Sequence, residues 1–478
     1  MIKMERLKKN GNKIYWIVFA IFVLSGVCIY FSLTKDNFVW ADEAYTFAMI
    51  KHNVKEIWNI TAADVHPPLY YFILKGFMCV LPDTLLWAKL VSIIPYIIIL
   101  IFGGVQFKKL FGKKVSLVFM LLFLAFPSLL IYSVEIRMYS WAALFVFANA
   151  LYGYKCLKSD KLSDWILFAL FGVASAYTHY FSLVSTGIVY FIVLLASIKN
   201  KKLKRWFMAV AITIVLYLPW LGRFIQQLIF KAENEYWIDE ITLSSIIGYL
   251  YMIFGVEGVG KFWIISFLLN FAIFIRTVLS KKTENILLAL SLLAIPVGTV
   301  AVGVGASWLV RPVFLIRYLI PAFPLVVAFM AIFSVKGKSK VLLYATVVIM
   351  VAGGSINYVN VIKKPQTYTN PYNAGIINDY ADSECYVVLT ESSHFSSITS
   401  YYEKSKPIYR LKLIGADNPY ENMKHIDDFK PENYKKVVLI TDSGSKDAEK
   451  YAEFYDLKFE KTICEYEKTA DLYVLTAK

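Results

Sequence analysis

From Ile14 to about Tyr358 the chain returns repeatedly to apolar stretches of roughly 18 residues or more, each long enough to cross a ~30 Å hydrocarbon core as a helix. After Lys363 the pattern stops. Of the 478 residues 58% are hydrophobic and only 18% charged, a balance that a water-soluble fold of this size would struggle to keep off its surface. The expected fold class is an α-helical polytopic membrane protein with interfacial helices in its first outer loop and a small soluble α/β domain at the C-terminus. Two domains follow: a transmembrane part over residues 1–362 and an extracytoplasmic part over residues 363–478.

The net charge of +15 points away from nucleic acid once its distribution is considered. Residues 363–478 hold 16 basic and 19 acidic side chains, so the excess of positive charge lies wholly in the membrane part. There it falls in short runs between apolar segments, as cytoplasmic loops require, not in patches interleaved with aromatics. Lys8–Lys13, Lys108–Lys114, Lys155–Lys161, Lys199–Arg205, Lys281–Lys282 and Lys336–Lys340 are therefore assigned to the cytoplasm. Spans are expected over residues 14–33, 85–107, 114–133, 138–157, 163–179, 181–198, 206–228, 261–280, 285–305, 313–334 and 341–358, about eleven in all. An odd number puts the N-terminus inside and the C-terminal domain outside the cell membrane.

Two segments do not suit a simple span. Pro68–Leu81 is too short and follows Pro67, and Leu243–Gly260 is interrupted by glycines and Glu257, so both read as interfacial or re-entrant. Beyond Cys385, strand-like runs at Tyr386–Thr390, Pro407–Leu411, Lys436–Thr441 and Leu472–Thr476 alternate with a helical pattern at Asp447–Tyr455. The five cysteines, at 28, 79, 156, 385 and 464, show no metal-ligand spacing, and a Cys385–Cys464 pairing stays open.

Chemistry-bearing residues gather at the outer ends of the expected helices. Asp42 and Glu43 follow the first span, where a carboxylate could take a proton from an acceptor hydroxyl or could cap a short helix over residues 44–50. His66 precedes Pro67-Pro68-Leu69-Tyr70-Tyr71 and either orients a ligand or lies on the surface. Glu135 and Arg137 stand two residues apart between the third and fourth spans, with Tyr139 beyond; the guanidinium suits a lipid phosphate, and a local salt bridge is the competing reading. His179 sits at another outer helix end, and Arg311 and Arg317 begin the tenth span from the same side. Ionisable groups at the rim of membrane segments are candidates for function because hydrocarbon penalises them. Snorkelling to headgroups is the bland alternative for the arginines.

The order Asp42-Glu43-Ala44-Tyr45, then His66-Pro67-Pro68-Leu69-Tyr70-Tyr71, then Glu135-Ile136-Arg137-Met138-Tyr139, then Arg317-Tyr318-Leu319-Ile320-Pro321 resembles bacterial members of the protein O-mannosyltransferase and aminoarabinose transferase group. These are C-type, family-39-like glycosyltransferases. The resemblance covers residues 1 to about 358, with Glu-Ile-Arg at 135–137 standing where Glu-Ala-Arg would be expected. It implies a polyprenyl-phosphate sugar as donor, an acceptor protein or cell-envelope glycan at the outer face of the bilayer, and inversion at the anomeric carbon. It further implies a mannosyltransferase-like enzyme with Asp42 as catalytic base and Glu43 and Glu135 as further acidic residues of the site. Arg137, Arg317, Arg311, His66, Tyr45, His179 and Tyr139 would bind the donor phosphate or sugar. No cofactor is required, and a divalent cation, magnesium or manganese, is compatible but not demanded. A transporter of lipid-linked sugars and a membrane-anchored binding module are the rival readings.

Overall fold

The computed structural model describes residues 2–35, 39–232, 238, 240–242, 244–245, 264–265, 267–272, 275, 283–336, 340–363, 386–390, 393–402, 407–410, 419–465 and 468–478. In chain order the helices are α1 (Ile2–Ser32), α2 (Ala41–Met49), α3 (Val54–Ala63), α4 (Leu69–Met78), α5 (Leu85–Phe111), α6 (Lys113–Ala125), α7 (Pro127–Ile131), α8 (Tyr139–Ser159), α9 (Leu162–Thr178), α10 (Tyr180–Lys199) and α11 (Leu203–Ala232). There follow α12 (Thr283–Leu309), a 3-10 helix at Ile316–Ala322, α13 (Phe323–Lys336) and α14 (Lys340–Lys363). The tail contributes β1 (Tyr386–Thr390), α15 (Ser393–Tyr402), β2 (Ile408–Arg410), β3 (Met423–His425), β4 (Lys436–Asp442), β5 (Tyr455–Glu465) and β6 (Lys468–Ala477).

Two compact units result: residues 1–35, 66–70 and 83–361 form the first, and residues 36–65, 71–82 and 362–478 the second. The second unit is thus more than the tail, because it takes in most of the long loop after α1.

In the membrane unit every expected span coincides with a helix or a broken helix, except 261–280, which with the 243–260 segment falls largely outside the described residues. Among the described residues, 7 helices are long and apolar enough to cross a membrane. Others are shorter or interrupted: Leu162–Thr178 is an apolar helix of intermediate length, and the third expected span is split between α6 and α7. Its break has a local cause, since Phe126 is extended and Pro127 takes the first position of α7. Close packing holds this break in place. A Cβ on Gly354 of α14 would lie 2.5 Å from the Ala125 carbonyl oxygen, so only glycine admits that approach. Polar side chains also tie the bundle together: the Ser116 hydroxyl donates to the Gly104 carbonyl at 2.6 Å, which leaves the Tyr15 hydroxyl to donate to Ser116 at 2.8 Å.

The second unit contains a six-stranded sheet of order β3-β2-β1-β4-β6-β5. β1 to β4 pair in parallel, with Val388 beside Ile408 and Val438, whereas β6 runs antiparallel to β4 and β5. Alternation along β4 feeds two cores: Val438 and Ile440 join one, Val437 and Leu439 the other, as expected of a strand covered on both faces. The helical pattern expected at Asp447–Tyr455 is corrected. Only Asp447–Tyr451 turns, as a 3-10 helix, and β5 starts at Tyr455 because its pairing with β6 from Tyr455 through Glu465 outweighs local helix propensity.

Candidate active site

Three short connections in the membrane unit deliver the site residues. Between α7 and α8 the Arg137 amide donates to the Glu135 carbonyl at 2.8 Å, a tight turn that sets both side chains just ahead of Tyr139, the first residue of α8. Between α9 and α10 a single extended residue, His179, serves as the joint. Its imidazole caps α10, with Nδ1 accepting from the Phe181 amide at 3.1 Å. That acceptor role leaves the ring's one proton on Nε2. The third connection runs from α12 to the 3-10 helix and carries Arg311, and Arg317 is the second residue of that 3-10 helix. Ser307 fastens it: its hydroxyl accepts from the amides of Val313 (3.1 Å) and Phe314 (3.2 Å) and donates to the Gly303 carbonyl (2.8 Å). Phe314 then lies so close to α12 that a Cβ on Gly303 would meet its ring at 2.4 Å.

These connections converge. The His66 ring stacks on His179 with centroids 5.7 Å apart, and His179 in turn lies 5.9 Å from Tyr139 and 4.7 Å from Tyr318. Arg137 is buried, with 3% of its surface exposed, and the Nε atoms of Arg137 and Arg317 are both closed to solvent. Burial, reinforced by the positive charges of Arg137 and Arg317, lowers His179 from the ordinary 6.5 to about 3. Desolvation first, then Arg137, His179 and Arg317, holds His66 well below 6.5 as well. Glu135, half-buried, lies within electrostatic range of the Tyr139 phenol together with both arginines. Of the expected donor-binding residues, His66, Arg137, Tyr139, His179 and Arg317 are therefore brought together, and Arg311 belongs to the loop that leads into the 3-10 helix.

Asp42, Glu43 and Tyr45 lie in the second unit, on α2. The helix begins at Ala41, earlier than the expected residue 44, because Trp40 is the extended N-cap residue. Both carboxylates then fall in the first turn, where the helix dipole favours negative charge. Glu43 is buried and accepts from the Trp40 amide at 3.4 Å, the return bond of a capping box. Asp42 is half-exposed. The Tyr45 hydroxyl donates to the Asp64 carboxylate at 3.0 Å.

Residues that sequence reading passed over include Tyr318, Phe181 and Ser307. Tyr318 adjoins Arg317 and its ring also stacks on Phe181 at 5.2 Å, so adjacency to a candidate arginine was the available signal. Ser307 gave none, since its task lies entirely in backbone contacts. Among the described residues no group of three or more His, Cys, Asp or Glu side chains stands close enough to hold a metal ion.

Residues 65–222, about a third of the chain, match the family described as dolichyl-phosphate-mannose-protein mannosyltransferase. Among solved structures, ArnT from Cupriavidus metallidurans in the apo state superposes with a TM-score of 0.65 at 11% identity, covering 96% of this chain and 97% of that one. The same protein bound to undecaprenyl phosphate gives a TM-score of 0.65 at 10% identity, over 96% of this chain and 98% of that one. No curated protein matches the chain at a significant level. At such identities the likeness to ArnT is one of fold.

Proposed function

We propose that this chain, a multi-pass membrane protein of the C-type glycosyltransferase superfamily, transfers a sugar from a polyprenyl-phosphate donor to an acceptor hydroxyl at the outer face of the cell membrane. The observation that carries this reading is the pairing of two guanidinium groups, Arg137 and Arg317, around two imidazoles kept neutral at the ends of apolar helices. Such a site concentrates positive charge where water is scarce, which suits a lipid phosphate that gains charge as its sugar departs. A solved structure of the same fold holds undecaprenyl phosphate, which supports the donor class.

Chemically, the acceptor oxygen attacks the anomeric carbon as the phosphate leaves from the opposite side, so that one displacement inverts the centre. Arg137 and Arg317 stabilise the departing phosphate, an effect of about 2 to 4 kcal/mol per well-placed donor. His179 adds a neutral Nε2–H donor, and Tyr139 a phenol. We assign Asp42 as the base that takes the acceptor proton, with Glu135 as a second acid shaping the sugar pocket. Glu43 holds the start of α2 through its cap. Because the arginines can meet the phosphate charge, the reaction is written without a divalent cation, so that chelation leaves turnover intact. The matched family supports a hexose donor of the mannosyl kind, and a protein or cell-envelope glycan supplies the hydroxyl.

The test uses purified chain in bilayers with a labelled polyprenyl-phosphate hexose. Release of polyprenyl phosphate with label on an acceptor, abolished by Arg317→Ala, is the expected result. Movement of intact label across the bilayer with no release would establish a transporter instead. Reporter fusions after Lys478 that report a cytoplasmic location would reverse the assigned sidedness.

A further inference from the structure

Helix α2 is built into the same core as the C-terminal sheet. Trp40 and Ala41 share a buried cluster with Phe395 and Ile398 of α15 and with Val438 and Ile440 of β4. Farther along the helix, the Phe47 ring lies 5.1 Å from Tyr401, and Tyr45 meets Tyr420 edge to face at 6.2 Å. Just past it, the His52 Nε2–H donates to the Pro419 carbonyl at 2.9 Å. Segments some 350 residues apart in sequence thus form one body.

This packing has a directional consequence. Ala41, Glu43, Ala44, Thr46, Phe47 and Met49 are buried, and Asp42, Tyr45 and Ala48 alone along α2 keep partial exposure. Those three recur every third residue, which places them on one stripe of the helix. A helix of 9 residues is not stable by itself in water, so the face it presents is set by what packs against it, Tyr401 on buried Phe47 and Tyr420 on Tyr45 of the stripe itself.

We propose that the C-terminal α/β domain is a positioning device for the transfer reaction: by clamping α2 through Tyr401 and Tyr420 it fixes the direction in which the Asp42 carboxylate is presented. The inference rests on the assignment of Asp42 as base. It makes Tyr401 and Tyr420 positioning residues and gives the tail a part in turnover, distinct from acceptor binding.

Full-length Tyr401→Ala protein in bilayers, assayed with the labelled polyprenyl-phosphate hexose, should lose kcat by roughly 10- to 100-fold, the scale of a misplaced reacting group. Its KM for acceptor should stay within about twofold. Tyr401→Phe, which keeps the ring, should restore turnover. In an Asp42→Asn background Tyr401→Ala should cost less than about twofold more, since a clamp has nothing left to aim. Hydrogen exchange across α2 should accelerate in Tyr401→Ala alone. Should that variant fail to fold, Tyr420→Ala is expected to give the same pattern. A raised acceptor KM at unchanged kcat, or losses that multiply with Asp42→Asn, would overturn the clamp in favour of acceptor binding. Normal turnover in Asp42→Asn itself would remove the base assignment, whereas a dead Asp42→Asn beside a normal Tyr401→Ala would remove the clamp alone.

Discussion

The amide of Phe181 points at Nδ1 of His179 from 3.1 Å, and this one contact gives the imidazole two separable tasks. Nδ1 caps α10, and Nε2 is left carrying the ring's proton as a donor. Asparagine places its oxygen where Nδ1 stands, and glutamine extends its amide to the Nε2 position. His179→Asn should therefore keep thermal stability close to wild type and weaken polyprenyl-phosphate binding by about 10-fold or more, the value of a hydrogen bond to a charged group. His179→Gln should keep binding and lower stability by about 0.5 to 2 kcal/mol through the lost cap. Thermal melts beside lipid-phosphate titrations separate the two; identical losses in both variants would leave His179 a plain packing residue.

The two lowered imidazoles make stability depend on pH in one direction. Folded His179, already protonated on Nε2, takes up a second ring proton only as pH falls to about 3, whereas the unfolded chain does so near 6.5. Between those values the unfolded state holds more protons, so stability rises with pH. The contribution is fully present above about pH 6.5 and is lost progressively as pH falls toward 3, with His66 acting in the same sense. Melting temperatures of the bilayer-embedded protein from pH 8 to pH 4 should fall accordingly, and His179→Asn should flatten part of the slope. A melting temperature that climbs on acidification over this range would contradict the burial of neutral rings.

What could be read from the sequence was mainly what the bilayer dictates. Apolar stretches announce helices because backbone groups must be satisfied within each segment, whereas the break at Phe126-Pro127 inside the expected span 114–133 was not anticipated, although Pro127 supplies its local cause. The ionisable residues at helix ends were visible for the same reason. Strands β1, β2, β4 and β6 were legible from alternation, but β5 was hidden by the helical composition of Asp447–Tyr455 until β6 supplied a partner. Nothing local links Trp40 to Phe395, so the union of the first loop with the tail could not be seen. The protonation pattern of His179 was equally invisible, because it depends on a backbone amide two residues on.

Glu43 and Asp42, adjacent in sequence, should separate cleanly under substitution. Glu43 accepts the Trp40 amide from within the core, a task that glutamine also performs in capping boxes. Glu43→Gln should therefore retain turnover within several-fold, and Glu43→Ala should destabilise α2 by about 0.5 to 2 kcal/mol. Asp42→Asn removes the proposed base and should reduce kcat by about 100-fold or more without altering the melting temperature, consistent with loss of general-base catalysis. Single-turnover rates and melts of the three variants decide the matter. A Glu43→Gln protein that is stable but inactive would return Glu43 to the reacting centre.

Gly303 offers a test of the site that touches no candidate ligand residue. A Cβ there would meet the Phe314 ring at 2.4 Å and the Phe181 ring at 2.9 Å, distances real side chains do not tolerate. Ser307 holds the amides of Val313 and Phe314, and Arg317 follows Phe314 by three residues. Phe181 is the residue whose amide caps onto His179. One added methyl group therefore presses on the supports of both Arg317, the proposed phosphate-binding residue, and the neutral imidazole. Overpacking of this kind costs about 1 to 3 kcal/mol, so Gly303→Ala should lower the melting temperature measurably. Because the strain is directed into the site, polyprenyl-phosphate affinity should fall by more than in Gly305→Ala, where an added Cβ meets nothing within 4 Å. Equal lipid-phosphate affinity in the two variants would mean that the Phe314 loop does not govern where Arg317 stands.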